Sequence, residues 1–348
     1  MKILGIETSC DETAAAVVET SSDNSHVTLL SNSISTSMNL HAKTGGIIPE
    51  IAARNQSKYI IPVIYDALTQ AQISFKRGQA PDIDAIAITY GPGLIGSLLV
   101  GVETAKTLSW IWDKPLIPVN HLFGHIYANW VETPTQSYSP ILFPLIALIV
   151  SGGHTDLVLM KSHQDISWLG GTRDDAAGEA FDKVGRLLGF PYPAGPAIEE
   201  AAKLGDKKAY TFPRPLLYDK AFDFSFSGLK SAVLRQTEKL SDIPKEKNSL
   251  AFATQDAIIE VLVKKTLSAA QKHNAKSIII SGGVAANQTL RDAFKEALHK
   301  EDRTISFFVP ERKLCTDNAA MIASAAFFKK TEVSSWKDLT ANPELYFD

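Results

Sequence analysis

The sequence predicts an α/β protein of two similar lobes with a cleft between them. Three observations carry this expectation: 348 residues exceed what one small core fills, a strand, polar tip and returning strand occur twice, and strands alternate with helical stretches between the two occurrences. Residues 2–6 are apolar, 7–13 polar and 14–18 apolar again, the pattern of a β-hairpin with a chemically equipped tip. Helical stretches follow over 49–72 and 96–112, separated by a strand over 83–89. The hairpin design returns as a buried-strand run over 145–150, a small polar turn over 151–155 and a strand over 156–160. Beyond Gly170 the pattern is mainly helical until a strand over 277–281, which runs through Gly282 and Gly283 into a helix from about Asn287. The charged stretch 239–247, interrupted by Pro244, reads as a surface loop. The first lobe is expected over 1–140 and the second over 141–348, with a helical insertion around 170–275.

Composition narrows the class. Hydrophobic residues at 45% and charged residues at 21% are globular values. The start of the chain has no basic, apolar or cleavage region of a signal peptide, and no segment approaches the roughly 20 apolar residues that span a bilayer, so a cytoplasmic protein is expected. Cys10 and Cys315 are too few for a disulfide framework and are expected to be reduced. A net charge of −3 does not announce nucleic-acid binding, so any such site is local or shared with a partner.

Several runs carry candidate chemistry. His121 and His125 are spaced i, i+4, which on a helix puts both imidazoles on one face within reach of one metal ion, with surface or capping roles as the alternative. Asp317 is a candidate third ligand from the other lobe, a pairing that spacing does not derive. A zinc peptidase of the HExxH kind needs a glutamate after the first histidine, and Leu122 stands there. The turn Ser151-Gly152-Gly153-His154-Thr155 offers backbone amides to a phosphate, or is a plain tight hairpin. Residues 281–287 turn from strand to helix through glycines that could admit a nucleotide, with Asn287 placed to bond it, or are structural. Four carboxylates over 174–183 either form a solvated helix face or hold hydroxyl groups ahead of a helix starting near Val184. Residues 41–46 with Arg54 could touch a nucleic-acid backbone or form an ordinary loop. Gly91-Pro92-Gly93 and Gly96 shape a turn. The hairpins suit the duplicated lobes of actin, Hsp70 and sugar kinases, which open with such hairpins around a phosphate.

Taken in order, these runs resemble the family of tRNA threonylcarbamoyladenosine transferases (TsaD, once labelled O-sialoglycoprotein endopeptidase) over nearly the whole chain. The resemblance rests on Gly5-Ile6-Glu7-Thr8-Ser9-Cys10-Asp11-Glu12-Thr13, residues 45–54, Gly91-Pro92-Gly93-Leu94, residues 120–125, 151–155, 174–183, Ser225-Phe226-Ser227-Gly228-Leu229-Lys230, 281–287 and 315–318. It implies the actin/Hsp70/sugar-kinase (ASKHA) fold and a divalent metal, Fe2+ or Zn2+, held by His121, His125 and Asp317. It also implies that Ile149, Val150, Ser151, Gly152, Gly153, Asp182, Gly195, Glu199 and Asn287 line a pocket for threonylcarbamoyl-AMP, or for ATP or ADP. The implied reaction moves the threonylcarbamoyl group to the exocyclic amine of adenosine 37 in tRNAs reading codons that begin with A. Asp11 and Glu12, at the hairpin tip, are the candidate acceptors of the amine proton. The implied partners are tRNA, the inactive homologue TsaB and the small ATPase TsaE, in a bacterium. Phe123, Gln56 and Ala194 depart from the family pattern, where an acidic residue, a histidine and a glycine are usual. The first two departures could alter partner or tRNA contacts. A small-molecule kinase or ATPase of the same fold, using Asp11 or Glu7 on magnesium, is the rival reading, followed by the metallopeptidase and a non-catalytic scaffold.

Overall fold

Two sheets with the same strand order organise the chain. The computed structural model describes residues 1–42, 44–74, 76, 78–300, 304–329 and 336–347. β1 (Lys2–Glu7) and β2 (Glu12–Thr20) form the first hairpin, in register from Lys2 opposite Glu19 to Glu7 opposite Ala14. β3 (Val27–Thr36) extends it antiparallel, while β4 (Ala85–Gly91) and β5 (Leu116–Asn120) add in parallel on the other side, and β6 (Val131–Glu132) closes the β3 edge. The order is β5-β4-β1-β2-β3-β6. The second sheet has the order β11-β10-β7-β8-β9, built from β7 (Leu145–Val150), β8 (Thr155–Met160), β9 (Ile166–Gly171), β10 (Ser277–Ser281) and β11 (Ser306–Phe308). β7 and β8 are its hairpin and β10 and β11 its parallel additions, so β7 to β11 repeat the places of β1 to β5. That duplication is the actin/Hsp70/sugar-kinase arrangement.

In the first unit the crossovers are α1 (Met38–Ala42) with α2 (Pro49–Gln70), then α3 (Ile95–Trp112), and α4 (His121–Tyr127) follows β5 directly. Alternation along β1 aims Leu4 and Ile6 into a core shared with Ile60, Ile64 and Leu68 of α2 and Val102 of α3. Gly5, on the opposite face, meets the backbone of Ala319 in α10 (Ala319–Lys329). Helices therefore cover both faces, which is why β1 is apolar without alternation.

The second unit carries α5 (Ala177–Leu187), α6 (Gly195–Ala202), α7 (Ser227–Thr237), the 30-residue α8 (Ile243–Lys272) and α9 (Gln288–Lys300). Ile258, Leu262 and Ala269 of α8 and Phe294 of α9 bury against Ile146, Leu148 and Ile280 of the sheet.

The structure corrects three expectations. The compact units are Met1–Pro140 with Thr316–Asp348, and Ile141–Cys315, so the segment after Cys315 returns to the first unit instead of finishing the second. The reason is packing: α10 is buried along its length against β1, β2 and α4. Residues 243–247 are the first turn of α8 and not a loop, because Asp242 caps the amide of Lys245 and Pro244 sits at the first turn, where its missing N–H costs nothing. The helix expected near Val184 begins at Ala177.

The return of α10 to the first sheet can be tested at Gly5. A methyl group there would overlap the carbonyl oxygen of Ala319, so Gly5→Ala should lower unfolding stability by about 1–3 kcal/mol in denaturant titration. An unchanged midpoint would mean that α10 does not rest on β1.

Candidate metal and substrate site

The site grows from a buried carboxylate at the end of β1. Glu7 has no exposed surface and must find donors. Its Oε1 accepts the Ser9 amide at 2.5 Å, and its Oε2 accepts the Thr89 hydroxyl at 2.5 Å from β4. The same Oε2 lies 3.1 Å from His121 Nδ1, and Ser9 Oγ lies 3.2 Å from that nitrogen. A proton held on Nδ1 by Glu7 directs coordination to Nε2 once Nε2 gives up the proton of the charged ring, the arrangement in which a carboxylate orients a metal-binding histidine.

His121 Nε2 lies 3.5 Å from Asp317 Oδ1, and His125 Nε2 lies 3.3 Å from the same oxygen. Around a tetrahedral ion with bonds of about 2.1 Å, ligand atoms sit about 3.4 Å apart. The ligating atoms of the three side chains lie within 4.8 Å of one another. Apart from the Asp317 contact of Nε2, the ring nitrogens of the buried His125 have no partner, a costly state unless a cation takes up a lone pair. The residues fit a divalent metal. Asp317 comes from the first unit itself, which corrects the expectation of a ligand from the other lobe.

Electrostatics agree with the geometry. Burial opposes charge on His121, but the Glu7 and Asp317 carboxylates outweigh it and lift its pKa to about 9. Burial, with the charge of His121 beside it, holds His125 below the usual range. Glu12 is pushed up to about 10 by burial, then by Asp317, then by Asp11. Burial and Asp317 also push the Cys10 thiol upward, so Cys10 stays protonated and is no nucleophile. Both cysteines are free thiols.

Gln56 holds the tip. It is fully buried, and its Nε2 lies 3.3, 2.9 and 3.0 Å from the carbonyl oxygens of Thr8, Cys10 and Glu12. Ser97 Oγ adds a bond to the Cys10 carbonyl at 3.1 Å. Beside it, the Ile48 amide donates to His41 Nδ1 at 3.2 Å, His41 Nε2 pairs with Ser37 Oγ at 3.0 Å, and Ser37 Oγ donates to the Asp11 carbonyl at 2.9 Å. Gln56 and His41 are thus internal, which favours the ordinary structural reading of the two positions over partner or nucleic-acid contacts. Phe123 packs edge-on against Phe347 within the unit. Arg54 is exposed in an ion pair with Glu50, and Lys43 lies outside the described residues.

In the second unit the 151–155 turn is pinned by Ser151 N–H to His154 O at 2.9 Å and by Thr155 Oγ1, which accepts the Ala177 amide at 2.8 Å. Among the described residues nothing accepts from the Gly152 or Gly153 amides, and both glycines border open space. Gly195 likewise faces open space. Asp182 accepts the Ala194 amide at 2.7 Å and is raised by burial, and Glu199 accepts the Gln288 amide at 2.7 Å. Ala194 packs against Gly185, whose missing side chain makes the room. Ile149 and Val150 are wholly buried in the sheet. The Asn287 carboxamide caps Leu290 at 3.0 Å and bonds Gln255 at 2.9 Å, and so shapes the turn. Asp174 takes the amides of Phe226 and Ser227 and the hydroxyls of Ser225 and Ser227, which makes it a cap for α7 and no ligand for a ribose.

The duplicated sheets and the buried histidine pair define an ASKHA-fold protein with a triad able to hold a cation. The family model described as "TsaD: tRNA N6-adenosine threonylcarbamoyltransferase" matches residues 28–324, and the chain belongs to that family. Proteins named tRNA N6-adenosine threonylcarbamoyltransferase are similar throughout. That of Moorella thermoacetica is 48% identical over 94% of this chain and 91% of its own, and that of Thermosipho africanus 46% identical over 99% of each. Among solved structures, HypF of T. kodakarensis superposes with a TM-score of 0.59 at 14% identity, over 94% of this chain and 47% of that one, a likeness of fold alone.

Two measurements test the site. With His121 protonated below about 9, cation uptake must displace that proton. Zinc binding at neutral pH should release at least about one proton per ion, and affinity should rise about tenfold per pH unit before levelling near 9. Calorimetry in buffers of different ionisation heat reads the proton count, and zero release would refute the charged His121. Gln56→Leu leaves the tip carbonyls without their donor, so it should cost about 1–3 kcal/mol of stability while zinc binding persists. A variant as stable as the parent would show that Gln56 does not hold the tip.

Proposed function

We propose that this chain transfers the threonylcarbamoyl group of threonylcarbamoyl-AMP to N6 of adenosine 37 in tRNA, releasing AMP. The observation that carries the proposal is the triad of buried His121 and His125 with half-buried Asp317, oriented by Glu7, in a member of a family whose proteins bear that activity's name.

In the reaction the adenine N6 attacks the carbamate carbonyl carbon, the bond from that carbon to the phosphate oxygen breaks, and one amine proton leaves. The second unit's part is the adenylate: the free amides of Gly152 and Gly153 suit a phosphate, open space at Gly195 admits its sugar or base, and Asp182 and Glu199 flank it. Asn287 and the backbone of Ile149, Val150 and Ser151 fix the turns that present these groups. In the first unit a divalent cation, Fe2+ or Zn2+, held by His121, His125 and Asp317, would supply Lewis-acid polarisation of a carbonyl oxygen. Asp11 or Glu12 takes the amine proton, Glu12 only where the burial and the Asp317 charge that raise its pKa are both relieved. The Cys10 thiol, kept neutral, supplies no covalent route.

tRNA is the acceptor, and a TsaB-like homologue and a TsaE-like ATPase are the proposed partners. No helix among the described residues is long and apolar enough to cross a membrane, in keeping with a cytoplasmic site of action.

The test is transfer from threonylcarbamoyl-AMP to unmodified tRNA, with and without the two partner proteins, read by mass of the modified nucleoside. The parent chain should form product, and His121→Ala with His125→Ala should lose bound metal and cut transfer by roughly 100-fold or more. Undiminished transfer by the metal-free variant would remove the metal from the mechanism. Phosphorylation of a sugar by the pure protein would favour the kinase reading instead.

A further inference from the structure

The segment after α10 crosses the first sheet at the ends of β4 and β5 and reaches the helix that carries both histidines. Leu339 is buried in the core and Trp336 packs against it, the Asn342 amide donates to Tyr90 O at 2.7 Å, and the Gly93 amide donates to Pro343 O at 3.3 Å. Gly91 has no side chain where one would overlap the Asn342 carbonyl. Past that crossing, Tyr346 O accepts Asn120 Nδ2 at 2.5 Å, the Phe347 ring meets Phe123 edge-on at 5.7 Å, and the Lys329 ammonium lies 4.6 Å from the centre of the Phe123 ring.

Asn120 works in two directions. Its Oδ1 caps the Leu122 amide at 2.8 Å, while its Nδ2 is held by Tyr346. α4 has seven residues, too few to hold a helical orientation unaided. His121 is its first residue, so a shift of the cap moves a ligand directly. We infer that residues 336–347 form a strap that positions the metal-bearing helix through Asn120 and Phe123, an inference that rests on reading the triad as a cation site.

Asn120→Asp separates the two directions, because the carboxylate keeps the acceptor for Leu122 N–H and loses the donor to Tyr346. The added negative charge would by itself tighten cation binding, so weaker binding reports lost positioning and not electrostatics. Zinc affinity is measured by competition with a chromophoric chelator on the full chain, on Asn120→Asp, on Phe347→Ala and on a chain lacking residues 342–348. Weakening of about tenfold or more in Asn120→Asp and Phe347→Ala, with circular dichroism unchanged, is expected, the magnitude typical of groups that orient metal ligands. Parental affinity in both point variants overturns the strap whatever the deletion does. Failure of the parent chain to bind zinc or ferrous iron at all overturns the triad reading itself.

Discussion

A carboxylate shut away from water needs a donor for each lone pair it turns inward, and Glu7 meets that demand with groups from three elements. The Ser9 amide belongs to the hairpin tip, the Thr89 hydroxyl to β4, and the His121 ring to α4. One unpaired buried ion would cost several kcal/mol, so tip, strand and helix are held together by the same requirement. It also fixes the His121 tautomer, and with it the direction of the lone pair that completes the triad. Removing Glu7 would release the geometry of every group around it.

The duplicated topology shows how one supersecondary unit is tuned to two chemistries. Both hairpins end in a short tip, but the first reads Glu-Thr-Ser-Cys-Asp-Glu and the second Ser-Gly-Gly-His-Thr. The first has its carbonyls occupied by Gln56, Ser97 and Ser37, which leaves carboxylates as its chemical content. The second pins its flanks through Ser151 and Thr155 and keeps two amides free. One tip thus presents carboxylates, the other amide donors.

Much of this was legible in the sequence because it depends on local pattern. The hairpins follow from apolar runs around polar tips, and His121 and His125 share a face by the helical period alone. Asp317 was reachable only through family resemblance, since nothing in spacing says that α10 returns to the first sheet. Gln56 left a fainter signal: it falls on the buried stripe of α2 with Ala52, Ile60 and Val63, and a polar residue on such a stripe implies a buried partner. Asp174 and Asn287 stayed ambiguous in the sequence because caps and ligand-binding groups use the same side chains in the same glycine-rich turns. Only the partner list distinguishes them.

The family departures obey one rule. A side chain is free to change when its neighbours can meet its packing and hydrogen bonds. Gln56 supplies donors to three carbonyls where a ring nitrogen would supply one, although an amide has only two N–H bonds and must share them. Ala194 is tolerated because Gly185 faces it. Phe123, exposed to the Phe347 ring and the Lys329 ammonium, exchanges a charge for aromatic and cation–π contacts. None of the three is a ligating residue of the triad, so each can differ without changing the ligand set. A site whose chemistry resides in three converging atoms tolerates such differences as long as each substituted group still fixes the element it sits on.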